Sequence, residues 1–224
     1  MESTINKEQL MNIADQYGFK EWRELIFIHE SAIEEVNTKL KILNNEFKII
    51  HDHNPIEHIK TRVKTPDSII EKLERKGYEV NLENAKTKIN DIAGIRIICS
   101  FTDDIYKILD MIKAQDDIEV LKVKDYIKNP KDNGYRSLHL LIQLPIFLSR
   151  QARMTKVEIQ IRTIAMDFWA SLEHKIYYKY KNDAPDEIPK KLKESAQMIK
   201  KLDQQMLDIK NELDQYSKGD SYEV

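Results

Sequence analysis

Between about Leu10 and Ile50 apolar residues recur every three or four positions, with Leu25, Ile28, Val36, Leu40, Leu43 and Phe47 forming an interrupted stripe. That period predicts helix, read as two segments. Asn54 and Pro55 end the run, and Thr65-Pro66 supply the N-cap and first turn of a short helix that Gly77 terminates. A second short helix is predicted over residues 82–89, then a buried strand from Ala93 to Cys99, which is short, apolar and rich in β-branched residues. Asp103 and Asp104 open another helix. Strands are predicted at Glu119–Val123, Ser137–Leu144 and Lys156–Arg162. The last alternates strictly, so Val157, Ile159 and Ile161 face one side while Glu158, Gln160 and Arg162 face the other. Thr163 caps a helix reaching about Lys179. Beyond a break bounded by Pro185 and Pro189, a final helix to about Tyr216 carries Leu192, Ala196, Ile199, Leu202, Met206, Ile209 and Leu213 at spacings of three and four. Such a terminal stripe packs on its parent domain or on a second subunit. The order of elements predicts an α/β (α+β) fold, with helices on either end of a sheet core.

Composition narrows the function. With 41% apolar and 33% charged residues, the 224-residue chain has enough to bury a core and no signature of disorder. A net charge of −2 argues against a protein that coats nucleic acid, so any cationic site must be local. No apolar run approaches the roughly 20 residues that span a bilayer, and no cationic leader precedes an apolar segment, so a cytoplasmic location without membrane attachment is expected. Cys99 has no internal disulfide partner, and after Ile97 and Ile98 it reads as a small buried hydrophobe.

Three stretches carry candidate chemistry. Arg62 and Lys64 precede Ser68, Lys72 and Arg75, which share one face of the first short helix, a face that suits a phosphate chain or is simply solvated. Asp91 precedes the Ala93–Cys99 strand and Glu158 lies within the alternating one; if those strands are neighbours, the two carboxylates meet as a Mg²⁺ site for nucleotide phosphates requires. The alternative is a turn cap and a solvated side chain. In Asn133-Gly-Tyr-Arg-Ser-Leu-His139 a hairpin-like turn runs into a strand, and its aromatic, guanidinium and imidazole groups could hold a base.

Taken in order, Arg62-Val-Lys-Thr-Pro-Asp-Ser68, Asp91-Ile-Ala-Gly-Ile-Arg96, Gly134-Tyr-Arg-Ser-Leu-His139, Glu158-Ile-Gln-Ile-Arg-Thr163 and Trp169-Ala-Ser-Leu-Glu-His174 resemble the synthetase motifs of the RelA/SpoT group. The resemblance spans roughly residues 40–182 and is to the small alarmone synthetases. His53-Asn-Pro-Ile-Glu-His58 and Met166-Asp-Phe-Trp169 look closer to the RelP than to the RelQ branch. It implies a mixed-sheet, nucleotidyltransferase-like synthetase core over residues 56–182, flanked by helical extensions over 1–55 and 183–224, the latter an oligomer contact. The implied activity is transfer of the β,γ-diphosphate of ATP to the 3′-hydroxyl of GDP or GTP, releasing AMP, in the stringent response, with no hydrolase domain. By the same resemblance Arg62, Lys64, Ser68, Lys72 and Arg75 would hold ATP phosphates, Arg96 would stack on adenine, and Asp91 would ligate Mg²⁺. Glu158 would share the ion or take the proton of the attacking hydroxyl. Tyr135 would stack on guanine, and Asp125, His139, Gln160 and His174 match motif positions around the acceptor. A homotetramer is implied, with no obligatory nucleic acid. Asp167 departs from the pattern, since the RelQ branch often has Asn there.

Rival readings make distinct demands. His51-Asp52 resembles the signature of HD-type metal phosphohydrolases, but only His53 and His58 lie nearby, in what reads as a helix end and loop. A related transferase with an RNA acceptor predicts a broad basic surface, and a non-catalytic nucleotide sensor predicts that a carboxylate or phosphate-binding cation is missing. The near-neutral charge does not favour the first, and every position the second would lose is filled.

Overall fold

The computed structural model describes residues 19–51, 53–179 and 187–219. Five strands, β1 (Ile56–Val63), β2 (Ala93–Cys99), β3 (Glu119–Asp125), β4 (Leu138–Phe147) and β5 (Ala152–Thr163), form one mixed sheet in the order β1-β2-β5-β4-β3. Only the β2–β5 pair is parallel. The helices are α1 (Phe19–His51), α2 (Pro66–Arg75), α3 (Leu82–Lys88), α4 (Thr102–Lys113), α5 (Ile164–Lys179) and α6 (Glu187–Gly219).

The alternation of β5 explains the layering. Val157, Ile159 and Ile161 are buried together with Ile95 and Ile97 of β2 and Leu138, Leu140 and Ile142 of β4, and this apolar face is covered by α1 and α4. From α1 come Ile28, Ala32, Ile33, Val36 and Leu40; from α4 come Ile105, Ile108 and Ile112. Each such large aliphatic side chain contributes about 1.5–3 kcal/mol on leaving water, so α1 is part of the core and not an appendage. From Phe19 to His51 the chain is one continuous helix, and residues 10–18 of the predicted helical run lie outside the described residues. A second cluster, in which Trp22, Leu25 and Ile26 of α1 meet Ile69, Leu73, Ala85 and Ile92, fastens α2 and α3 to one end of the sheet.

Three local readings change. Residues 56–63, which include His58, form the edge strand β1 where a loop was expected; of them only Ile56 is fully buried, so solvent-facing polar residues mask the period of two. Strand β5 begins four residues earlier than predicted, as the outer arm of a hairpin with β4. Pro189 does not break α6 but sits in its first turn, where no intrahelical N–H is needed. Thr65 caps α2 and Thr163 caps α5 as predicted, accepting from Ser68 N at 3.3 Å and from Met166 N at 3.1 Å. Cys99 is buried, and burial pushes its thiol pKa well up.

The turn before β4 is pressed against α6. Gly134 has φ +90°, and a Cβ built on it would lie 2.5 Å from the Cβ of Ala196. Gly134→Ala should therefore destabilise the protein by about 2–4 kcal/mol, through left-handed backbone strain plus overpacking, read as a lower denaturant midpoint. Adding Ala196→Gly should restore only the packing share.

Candidate functional site

The face of the sheet opposite α1 and α4 collects most of the residues singled out above. Cross-strand register puts Lys60, Arg96, Gln160, His139 and Lys124 in one row across all five strands, with Arg62, Gly94, Glu158, Leu141 and Lys122 in the next. A cleft over these rows is lined by Arg62, Asp91, Gly94, Arg96, Glu158 and Gln160. The two carboxylates, 67 positions apart in the chain, thus share one cavity because β2 and β5 are neighbours.

At the β1 edge, Lys64 N donates to Ile92 O at 2.8 Å, which brings the exit of β1 beside the entry of β2. Asp91 Oδ2 is held by Lys72 Nζ at 2.6 Å and faces Lys64 Nζ at 3.5 Å. Burial would raise the Asp91 pKa, but the hydrogen bond from Lys72 and the charges of Lys64 and Lys72 outweigh it and hold the carboxyl below its ordinary value. Burial lowers the Lys64 pKa, with Asp91 opposing and Arg62 and Lys72 reinforcing. Asp91 Oδ1 is buried and has no hydrogen-bond partner. A carboxylate that lines the same cleft as Glu158 and keeps one oxygen without a hydrogen bond fits a divalent cation, in particular Mg²⁺, which takes one or two protein carboxylates and completes its shell with phosphate and water oxygens. Ser68 and Arg75 are exposed on the same face of α2 as Lys72. Ser68 Oγ accepts from Thr65 Oγ1 at 3.0 Å.

Toward β4 the groups are aromatic and hydrogen-bonded in series. Arg162 donates to Asp167 Oδ1 at 3.0 Å, to Gln160 Oε1 at 3.2 Å and to the Tyr135 hydroxyl at 2.6 Å. The Tyr135 hydroxyl lies 2.8 Å from His139 Nε2. Since that oxygen already accepts from Arg162, its proton goes to Nε2, which assigns the His139 proton to Nδ1, 3.9 Å from Glu158 Oε1. Glu158 Oε2 accepts from Gln160 Nε2 at 3.1 Å. Burial, then the charges of Arg162, Lys131, Lys124 and Arg96, drop the His139 pKa to about 4, so its ring is neutral at pH 7. A folded-state value below the unfolded one means that His139 contributes stability above about pH 6.5, lost as pH falls towards 4. His139→Gln should flatten the thermal-stability profile across that window.

Tyr135 also lies under Lys131 Nζ, 4.7 Å from its centroid, and edge-on to Tyr126 at 6.0 Å. Arg96 reaches Asp167 Oδ1 at 3.4 Å, so Asp167 bridges the Arg96 side of the cleft and the Tyr135 side. His174 is exposed on α5, seven residues beyond Asp167 and so on the same helix face. Asp125 is the exception. It pairs with Leu138 on the core side of the sheet, caps the following turn through Ile127 N and Lys128 N at 2.9 Å, and accepts from Tyr106 Oη at 3.1 Å. His53 is engaged elsewhere, 3.0 Å from Asp104; among the described residues no group of three or more His, Cys, Asp or Glu could hold a metal. The side chain of His51, and Asp52, lie outside the described residues.

Sequence reasoning missed Arg162, Tyr126, Lys131, Lys122 and Lys124 as site residues. Arg162 was legible as a polar-face position of β5, whereas Tyr126 and Lys131 enter through a turn with no periodic signal.

Residues 61–183 match the family model described as the region found in RelA/SpoT proteins. The chain is 51% identical over 195 residues to the GTP pyrophosphokinase YwaC of Bacillus subtilis, a match covering 87% of this chain and 93% of that protein. The crystal structure of small alarmone synthetase 2 from Bacillus subtilis superposes with a TM-score of 0.78 at 49% identity, covering 86% of this chain and 99% of that one. Small alarmone synthetase 1 from the same organism, bound to its product pppGpp, gives a TM-score of 0.78 at 38% identity, covering 86% and 98%.

Proposed function

The chain belongs to the RelA/SpoT family, and we propose that it is a small alarmone synthetase that transfers the β,γ-diphosphate of ATP to the 3′-hydroxyl of GDP or GTP, releasing AMP. The observation that carries this reading is the shared cleft of Asp91 and Glu158, with Lys64, Lys72, Arg62 and Arg96 around it. It acts as a synthetase of the stringent response; the catalytic unit of residues 56–182 is bounded by helical extensions, a division that the family match over 61–183 supports.

In the proposed mechanism the 3′-oxygen attacks the β-phosphorus of ATP, the bond from that phosphorus to the α,β-bridging oxygen breaks, and AMP carries the bridging oxygen away. Arg62, Lys64, Lys72 and the outer pair Ser68 and Arg75 hold the phosphate chain in line, while Arg96 stacks on adenine. Asp91 and Glu158 would hold Mg²⁺, which would supply charge neutralisation on the phosphates. Glu158 lies between the Asp91 side and the Gln160–His139 side, which suits it to take the proton of the attacking hydroxyl as well. Tyr135 stacks on guanine, its ring fixed from the hydroxyl end by Arg162; the exposed Lys131 is the cation that yields that space. Neutral His139 keeps Tyr135 oriented and adds no charge beside the ribose.

No described helix is long and apolar enough to cross a membrane, and a cytoplasmic location fits substrates drawn from the nucleotide pool. A subunit contact is supported by the outer half of α6, where Leu202, Met206 and Ile209 are each at least half exposed; light scattering separates the homotetramer the family resemblance implies from a dimer. For the reaction, protein with Mg²⁺, γ-labelled ATP and GDP or GTP should yield labelled tetra- or pentaphosphate. Label only on added RNA, or no transfer, would reject the synthetase reading.

A further inference from the structure

Two contacts fasten the Tyr135 turn to the C-terminal helix. Gly134 packs against Ala196 with no room for a side chain, and two residues on, the Arg136 guanidinium, 11% exposed, sits with Nη1 3.8 Å from Asp203 Oδ2. Nε and Nη1 of Arg136 are buried without a hydrogen bond, so Asp203 supplies the charge compensation this cation needs. The same Oδ2 accepts from Thr163 Oγ1 at 3.1 Å and from Thr102 Oγ1 at 3.4 Å. Thr163 ends β5 and caps α5, the helix that carries Asp167; Thr102 opens α4.

One carboxylate, 6% exposed, therefore joins α6 to the turn bearing Tyr135 and to the starts of α5 and α4. A helix that merely needed to pack would place an aliphatic residue here, because burying a carboxylate costs several kcal/mol unless its partners repay it. Burial raises the Asp203 pKa, with Thr163, Arg136 and Thr102 opposing. The residues assigned to the ATP phosphates take their contacts from β1, β2 and α2, away from α6; of the ATP residues Arg96 alone also reaches α5, through Asp167.

Resting on the synthetase reading, we propose that Asp203 is a positioning residue for the acceptor nucleotide: through Arg136 and Thr163 it sets the Tyr135 ring and the first turn of α5, so that α6 completes the guanine subsite and leaves the phosphate-binding side of the ATP subsite untouched. The role is steric and electrostatic, with no step of the reaction passing through the carboxylate.

Asp203→Asn keeps the shape and the acceptor oxygen for the two threonines while removing the charge opposite Arg136. It should raise KM for GDP about tenfold, with KM for ATP within about twofold and kcat within about threefold, and calorimetric GDP affinity should weaken in parallel. Arg136→Gln should show the same split and carries the test if the first variant fails to fold; the double variant should be no worse than either single one. Unchanged GDP affinity beside a lowered Tm, or KM values for both substrates rising together, would overturn the positioning role. Should the wild-type protein transfer no diphosphate, the synthetase reading itself fails, whereas active wild type with unsplit variants rejects only the role of Asp203.

Discussion

Glu158→Gln is expected to lower kcat by about 10²–10⁴, equivalent to roughly 3–5 kcal/mol of lost transition-state stabilisation, while leaving the fold intact. The substitution conserves shape, and a glutamine oxygen can still accept from Gln160 Nε2, so Tm should move by no more than a degree or two. What disappears is the negative charge in the cleft, and with it both a share of the cation and the base for the 3′-hydroxyl. Because binding of ATP rests mainly on groups of β1 and α2, the KM for ATP should change far less than kcat. Turnover close to wild type with Mg²⁺ binding intact would remove Glu158 from the mechanism.

Asp91→Asn should be at least as damaging to turnover, at about 10³-fold or more, by a different route. Here a bound cation would lose one of its proposed ligands, and Lys64 and Lys72 lose the charge between them. The two ammonium groups then repel, which should lower stability modestly near neutral pH. The sign of the pH dependence follows from the depressed Asp91 pKa: its contribution is present above the unfolded carboxylate value and fades as pH falls through the folded one. Stability of the Asn variant and the wild type should therefore converge in acid. Raising Mg²⁺ should recover part of the lost activity if the defect is in metal affinity; an activity loss indifferent to Mg²⁺ across a hundredfold range would count against the assignment.

Much of this architecture could be read from the chain, and the parts that could not share a cause. Strand β2 matches its predicted bounds, because it is an interior strand of the sheet and an apolar run with β-branched residues leaves little ambiguity. The two-sided reading of β5 holds at every position from Val157 to Arg162 except that Arg162 is itself buried, its charge matched by Asp167. By contrast, β1 escaped because an edge strand need not alternate when water can satisfy either side. Strand order is likewise invisible to periodicity: that β5 lies between β2 and β4 is a long-range fact, and it alone turns Asp91 and Glu158 from two conditional candidates into one cleft. The chain from Arg162 through Tyr135 to His139 joins two strands and a turn, so no local pattern announces it. Asp125 shows the converse, a motif match whose side chain follows Val123 onto the core side while Lys122 and Lys124 face the cleft.

The five-stranded platform has a consequence for how the gene tolerates change. Along β5 consecutive codons serve different masters: one in two answers to abundance of folded protein, the next to turnover. Variation surveyed across that strand would beat with a two-residue rhythm, and selection for thermal robustness could act on one phase of it without disturbing the other.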